Sequence, residues 1–558
     1  MTLQHSFSPM IDTSSKPILL RSLGNCVIET PLGTITPNQK ILFATALFLI
    51  LSRHRRVTRD ALELVLWPDL RNCKRAHHRL RQTILKLKEV GFHIQRDNGF
   101  LKIGHKVATD FDDLISNNKE RRPLISAESF DLLPQYTADI SVAYAHWLDE
   151  RKQEIYSHLV RLLLEQIRLA RTRGEWDRVE SLSRACGSID PYNEEAVLAR
   201  AESVALRGGK VEAIALLDDY VAELGSDHPS LRLPATLMRS RISERTDETS
   251  YETREIPLLG RESQLETLNL ALESTERGRG SCCILEGDVG MGKSRLLGEF
   301  AAFAQLKGHE VRLLRSQPSD QSRPLSTLVE LICGLRKLRG AIGCSPESIE
   351  CLNRLTSNPG QSLYQNQPYH GLSPEYLLAA ILDLLDAVSE ENTIVLIVDD
   401  AQWLGTATFS VFEAIVEWAK THKVMTIIAL RDSAAEWPLL RNLRAVQFLC
   451  LSPLSSDHST TLVNALARQC SRQPTRSELT WFVDIGEGNP FFLKELVARW
   501  IDSGTLEETP PSLVAITNHR LRQLSRPALQ ILQTCAVLGR FSSIARLEQV
   551  LELKTFEL

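Results

Sequence analysis

The sequence predicts a multidomain chain of mixed α/β and α class, and three observations predict it. The run Gly287-Asp288-Val289-Gly290-Met291-Gly292-Lys293-Ser294 lies between a short apolar stretch and a helical one, the strand–loop–helix setting of a phosphate-binding loop. Near the N-terminus, helical segments and a hairpin follow one another in the order of a winged helix-turn-helix. Between these two regions, a 34-residue period with helical fill reads as tetratricopeptide-like hairpins. The expected parts are a flexible stretch over 1–16, a winged helix over 17–110, a tetratricopeptide-like helical domain over 111–226 and a linker over 227–256. A P-loop α/β parallel-sheet domain over 257–450 follows, then a helical lid over 451–510 and the start of a helical or winged-helix domain over 511–558.

A chain of 558 residues has room for about three to five domains. The formal net charge of -4 hides an asymmetry. Residues 1–110 carry seventeen Lys/Arg against eight Asp/Glu, so a basic end is attached to an acidic body. Such an end points to a polyanion partner, with a merely solvated basic surface as the plainer explanation. The eleven cysteines are scattered without a C-x-x-C pair, the usage of a reducing compartment in which Cys acts as a small hydrophobe. No charged start followed by an apolar run opens the chain, and the longest nearly apolar run, Ile41 to Leu51, is too short for a membrane span. A cytoplasmic protein with no membrane partner is expected.

From Ile18 to Thr36, short β-prone runs broken by Gly24 and by Pro31-Leu32-Gly33 suggest a small antiparallel sheet. Pro37 to Arg53 reads as an apolar helix, and a second begins after Thr58, a plausible N-cap, and ends at Pro68. The third runs from about Cys73 to Val90. Phe92 to Arg96 and Phe100 to Ile103 flank Asp97-Asn98-Gly99, a hairpin signal. On the third helix Ala76, Leu80, Ile84 and Leu87 form an apolar stripe. Arg75, Arg79, Gln82 and Lys86 share a neighbouring face, with His78, Arg81 and Lys88 beside it. No acid interrupts the helix between Lys74 and Lys88, as a merely solvated face would normally have. Arg and Gln read guanine and adenine edges, Lys and His contact phosphate, and Lys102 and Lys106 on the wing are placed for the adjacent backbone. Double-stranded DNA is the partner expected of this face.

Three stretches carry a resemblance: Leu19-Leu20-Arg21-Ser22-Leu23-Gly24, Leu64-Val65-Leu66-Trp67-Pro68-Asp69, and the helix with Arg75-Ala76 and Leu80-Arg81-Gln82. Together they resemble the winged helix that opens regulators of the SARP type, in which a bacterial transcriptional activator domain follows directly. Leu132-Leu133-Pro134 and Trp147-Leu148-Asp149-Glu150-Arg151 are similar to the opening of that activator domain. The resemblance implies a promoter as the DNA and RNA polymerase as a contact.

The repeat lies within this second region. Gly174-Glu175-Trp176 with Val179 and Leu182 recurs 34 residues later as Gly208-Gly209-Lys210 with Ala213 and Leu216. Two such units offer a concave surface for a protein partner, with a plain helical bundle as the other reading. Ser226-Asp227-His228-Pro229 then breaks the helical pattern, and Ser243 to Glu255 is charged and hydroxyl-rich.

In the phosphate loop, Lys293 would neutralise the β- and γ-phosphates of ATP or ADP and Ser294 would ligate Mg²⁺, while backbone N–H groups converge on the phosphates. The β-branched run Thr393 to Val398 reads as a central parallel strand that delivers Asp399 and Asp400 at its C-terminal end. There Asp399 would hold Mg²⁺ and Asp400 would polarise a water. A second strand, Val424 to Leu430, ends in Arg431, placed to sense a γ-phosphate.

Leu258-Leu259-Gly260-Arg261-Glu262, about 27 residues before the loop, resembles the opening motif of STAND ATPases, as does Asp399-Asp400-Ala401-Gln402-Trp403. Gly486-Glu487-Gly488-Asn489-Pro490-Phe491-Phe492-Leu493-Lys494-Glu495-Leu496 looks like the lid motif of that family. The resemblance places Gly260 and Arg261 beside the adenine, Pro490 against the base and Arg431 on the γ-phosphate. Many related motor ATPases carry Glu where Asp400 stands; the shorter Asp suggests slow hydrolysis, suited to a switch. A nucleotide-dependent homo-oligomer is expected of such a switch. Proteins of this kind commonly continue into a long helical-repeat sensor, and a short regulator and a longer one fit this sequence equally. A nucleotide-switched DNA-binding regulator is the leading expectation. An NTP-dependent scaffold with protein-binding N-terminal modules is the alternative, and a turnover ATPase the third.

Overall fold

A computed structural model of the chain describes residues 17–52, 56–70, 74–97, 99–104, 107–110, 132–134, 136–225, 229–244, 256, 258–322, 325–356, 374–431, 446–470, 472–503, 521, 524–539 and 542–551. The chain divides into two compact units: Met1–Ala170 with Asp177–Ala201 and Leu216–Ala235, and Arg171–Trp176 with Glu202–Ala215 and Thr236–Leu558.

In the first unit, β1 (Ile18–Arg21), β2 (Val27–Thr30) and β3 (Gly33–Ile35) form the antiparallel sheet expected from the turn signals. α1 (Lys40–Leu51) is buried on nearly every face from Phe43 to Ile50, because its sequence has no polar side to turn outward. After β4 (Arg56–Thr58), α2 (Arg59–Leu66) starts at Thr58, whose hydroxyl accepts the Ala61 N–H at 3.2 Å. α3 (Lys74–Glu89) buries Ala76, Leu80, Thr83 and Leu87. Ile84, expected in that stripe, is only half-buried. Thr83 takes the inward place, its hydroxyl satisfied by the Arg79 carbonyl at 3.0 Å. Gly91, at φ 101°, ends the helix in the left-handed region, where Phe92 N–H reaches back to Leu87 O at 2.9 Å.

β5 (Ile94–Asp97) and β6 (Phe100–Ile103) form the hairpin, with β4 paired to the outer side of β6. Asn98 in its turn, and Lys106 beyond it, lie outside the described residues. An unforeseen strand, β7 (Val107–Thr109), pairs parallel with β1, giving the first sheet the order β3-β2-β1-β7. α4 (Val142–Arg173) contributes Tyr144, Leu148 and Leu159 to the same core as Ile18, Phe43 and Leu80. The division expected at residue 110 is therefore crossed by one continuous core.

Four helices follow: α5 (Trp176–Ile189), α6 (Glu194–Leu206), α7 (Lys210–Glu223) and α8 (Pro229–Glu244). The first and third begin 34 residues apart. α8 lies within the stretch 227–256 expected to be a linker. Its Ala235, Met238 and Ile242 recur at helical spacing and are buried, and Pro229 stands in the first turn, where a missing N–H costs nothing. The hydroxyl-rich 245–255 lies outside the described residues.

The second unit is built on a five-stranded parallel sheet. In chain order its main elements are α9 (Glu262–Glu276), β8 (Ser281–Glu286), α10 (Lys293–Lys307), β9 (Glu310–Arg315), α11 (Ser326–Leu335), α12 (Pro346–Thr356) and α13 (Pro374–Glu391). These are followed by β10 (Ile394–Asp399), α14 (Thr406–Ala419), β11 (Val424–Leu430) and β12 (Val446–Cys450). The sheet order is β12-β8-β11-β10-β9. Every residue of β10 and β11 is buried, which is why both read as unbroken apolar runs. Ile394, Leu396 and Val398 face the core under α11–α14, whereas Val395 and Ile397 face that under α9 and α10. Cys282 and Cys283 lie inside β8, where burial pushes the Cys282 thiol up to about 12. A helical bundle follows: α15 (Ser456–Gln469), α16 (Arg476–Gly486) and α17 (Pro490–Ser503), closed over Phe482, Leu493 and Trp500. α18 (Arg526–Leu538) and α19 (Ile544–Leu551) are the helices described beyond it.

Candidate nucleotide site

The phosphate loop joins β8 to α10 at the C-terminal edge of the sheet, and Gly292, at φ 90°, stands at the helix N-cap. Only glycine takes that conformation without strain, so the motif glycine is dictated by the turn that aims the first helical N–H groups into the loop. Lys293 is 7% exposed, and its ammonium donates to Gly287 O at 2.6 Å and Asp288 O at 3.0 Å. Burial draws its pKa down; Asp400 and Asp399 act against that and the nearby Arg431 adds to it. Both acids and Arg431 are thus within electrostatic reach of Lys293, although the four residues come from three strand ends.

Asp399 ends β10, an interior strand between β11 and β9, and is 0% exposed. Burial raises its carboxyl, while a hydrogen bond from the Ser294 hydroxyl lowers it. Its Oδ2 accepts no hydrogen bond, and Arg315 Nε stands 3.8 Å away. A buried carboxylate oxygen left unsatisfied beside a hydroxyl is the donor set of a small hard cation. Asp400 is held at φ 54°, a left-handed conformation that costs a non-glycine residue about 1–3 kcal/mol. Its Oδ1 accepts from Gln402 Nε2 at 2.8 Å. The Arg431 guanidinium lies 5.6 Å from the ring centre of Trp403, which holds it by a cation–π contact.

Beside the loop is a mostly apolar cavity of about 220 Å³ lined by Ile256, Leu258, Leu259, Met291, Leu454, Leu462, Leu466 and Pro490, with Arg261, Arg295 and Lys494 as its cations. Gly290, Gly292 and Phe491 complete the wall. A flat aromatic base fits such a lining. Arg261 is buried and donates to Met291 O at 3.2 Å, so it braces the loop from behind; burial lowers its pKa and Glu262 acts against that. Gly260, at φ 67°, lies against His458, whose ring would be 2.7 Å from an added Cβ. The structure therefore brings together Gly260, Arg261, the loop from Gly287 to Ser294, Asp399, Asp400, Arg431 and Pro490. Arg295, Lys494 and Asn489 join the site without having been expected there. Arg295 and Lys494 fall on helices already recognised, but no spacing marks which helical cations face a cavity.

The second candidate surface is α3. Arg75, His78, Arg79, Arg81, Gln82 and Lys86 are all exposed, and Lys102 on β6 is half-buried. Gln82 Nε2 and His78 Nε2 are 3.0 Å apart, so these two side chains act as a pair. His77 serves the fold instead: its Nδ1 lies 2.9 Å from Glu63, whose side chain is 7% exposed.

Residues 257–428 match the AAA ATPase domain family. The match spans the phosphate loop, Asp399 at the end of β10 and Asp400 just after it, and ends before Arg431 and Pro490. An uncharacterised protein of Rhizobium meliloti (strain 1021) is 25% identical over an alignment of 313 positions that covers 51% of this chain and 30% of that protein. Among solved structures, Cdc6p from Pyrobaculum aerophilum is 18% identical at a TM-score of 0.32, over 47% of this chain and 66% of that one. A Walker-type ATPase of Pyrococcus abyssi is 17% identical at a TM-score of 0.29, over 53% and 88% respectively. The chain thus contains a nucleotide-binding P-loop ATPase domain of AAA type.

Proposed function

We propose that this chain is an ATP-controlled, DNA-binding transcriptional regulator, an activator with slow ATPase activity that works in the cytoplasm. The observation that carries the DNA half is the acid-free exposed face of α3, five basic residues and a glutamine on one rigid helix beside a β hairpin. Such a face suits the major groove of a promoter, with Arg75, Arg79 and Gln82 on base edges and His78, Arg81, Lys86 and Lys102 on phosphates. The helices from Trp176 to Glu244 supply a protein-binding surface of tetratricopeptide-like kind, for RNA polymerase or a second copy in a nucleotide-dependent homo-oligomer. No described helix is long and apolar enough to cross a membrane.

At the nucleotide site, Lys293 and the loop N–H groups bind the phosphates of ATP or ADP, and the apolar cavity holds the base. Asp399 and Ser294 are the residues to hold Mg²⁺, which when bound neutralises charge on the phosphates. Asp400 orients a water, and Arg431 takes up charge on the γ-phosphate. Because Asp400 is short and already engaged by Gln402, turnover is slow and the bound state persists. Under this reading nucleotide state, not catalytic flux, is the output.

The test is a DNA-retention assay at rising salt. Steep loss of retention fits phosphate contacts, and Arg79→Ala with Gln82→Ala should weaken promoter binding by about 1–3 kcal/mol for each base edge no longer read. Retention insensitive to both salt and these substitutions would sink the DNA claim and favour the protein-binding scaffold.

A further inference from the structure

The lid touches the phosphate loop through a side chain to which the functional reading gives no role. Asn489 lies between Gly488 at φ 71° and the first residue of α17. Its Oδ1 accepts the N–H groups of Phe491 and Phe492, both at 3.1 Å, as an N-cap does. That fixes the amide's orientation and turns Nδ2 away from the helix, where it donates to Val289 O of the phosphate loop at 3.0 Å. Phe491 N–H also reaches Gly290 O at 3.2 Å. Two consecutive loop carbonyls are therefore held by the lid. An added Cβ on Gly290 would fall 2.7 Å from Asn489 Oδ1, so the glycine leaves room for the lid at its closest approach.

A peptide plane is rigid, so holding a carbonyl on one side fixes the N–H on the other. The N–H groups of such a loop are what bind phosphates. We infer that Asn489 is a positioning residue, a clasp between lid and phosphate loop whose donation to Val289 sets how fast bound nucleotide leaves. The inference rests on the nucleotide site proposed above. It separates two roles of one amide: the oxygen caps α17, and the nitrogen holds the loop.

Aspartate separates them by experiment. Asn489→Asp keeps an oxygen to cap the helix but has no donor for Val289 O, and places a negative charge against that carbonyl. Asn489→Ala removes both roles. The full-length chain is loaded with a fluorescent mant-ADP and chased with excess ADP. The clasp predicts release about tenfold faster in Asn489→Asp and in Asn489→Ala alike, as expected when one hydrogen bond of about 1.4 kcal/mol is removed, with Asn489→Asp melting at the wild-type temperature. Release from Asn489→Asp at the wild-type rate, whatever Asn489→Ala does, overturns the clasp and leaves only a helix cap. A wild-type chain that takes up no mant-ADP would remove the nucleotide site itself, and the clasp with it.

Discussion

Lys293 and Arg79 are both cations near the start or middle of a helix, and they are held in opposite ways. Lys293 is buried, its ammonium tied to two carbonyls and facing three other charged groups on neighbouring strand ends. Arg79 is exposed, on a helix whose inner face is secured by Ala76, Leu80, Thr83 and Leu87. The first region places few charges by backbone geometry, and the second displays many charges on a scaffold indifferent to them. A site of the first kind fails when one atom moves. One of the second kind is additive outside the His78–Gln82 pair, because well-separated exposed side chains act independently.

That contrast can be broken most directly at Lys293. Replacing it by Ala should weaken ATP binding by about 100-fold or more, since a charge-assisted contact to phosphate contributes on the order of 3 kcal/mol; calorimetric titration that finds unchanged affinity removes the site assignment. Asp399→Asn comes next. Phosphate release measured across a Mg²⁺ titration should fall by about 10–100-fold, the usual scale for damaging a metal site and its supporting shell. On the DNA side, Lys86→Ala should lower the slope of binding against salt by about 1 and leave base preference intact. A change in sequence preference would show that Lys86 reads bases. The smallest effect is on stability: Arg79→Ala should shift unfolding free energy by no more than about 0.5 kcal/mol, as for an exposed side chain away from the core. A larger loss, seen in denaturant melts, would mean that α3 depends on its charges and that the two regions differ less than their burial suggests.

How much is legible in the sequence follows the same division. The phosphate loop and the acid pair Asp399-Asp400 at the tip of β10 can be read because their chemistry forces fixed spacing, and unbroken apolar runs betray strands buried on both faces. α3 can be read because a helix without acids over fifteen residues is conspicuous in composition. β7 cannot be foreseen: three residues carry too little pattern, and its parallel pairing with β1 is a long-range choice. α8 is hidden by its two prolines and the polar residues around them, although Ala235, Met238 and Ile242 carry the helical period. Asn489 stands in a motif whose proline draws notice, but sequence does not say where a side-chain amide points. Its contact with Val289 spans 200 residues.

The pairing of β1 with β7 has a consequence in time. Ile18 lies opposite Val107, and the Asp110 carboxylate accepts from Ser22 N–H and hydroxyl, both at 2.6 Å, and from Leu23 N–H at 2.7 Å. Leu133 N–H then bonds Ser22 O at 2.7 Å, and Leu148 and Leu159 join the same core. The first strand is thus made early and, although β2 follows it within a few residues, its other edge finds β7 late. At about 5–20 residues per second, the ribosome needs roughly 6–23 s between Ile18 and Leu133. Throughout that interval an apolar strand and the apolar α1 await closure of a long loop, a step that slows folding and exposes the chain to wrong partners. Synthesis rate and chaperone supply, more than any single contact, should govern how much of the N-terminal unit reaches its native state.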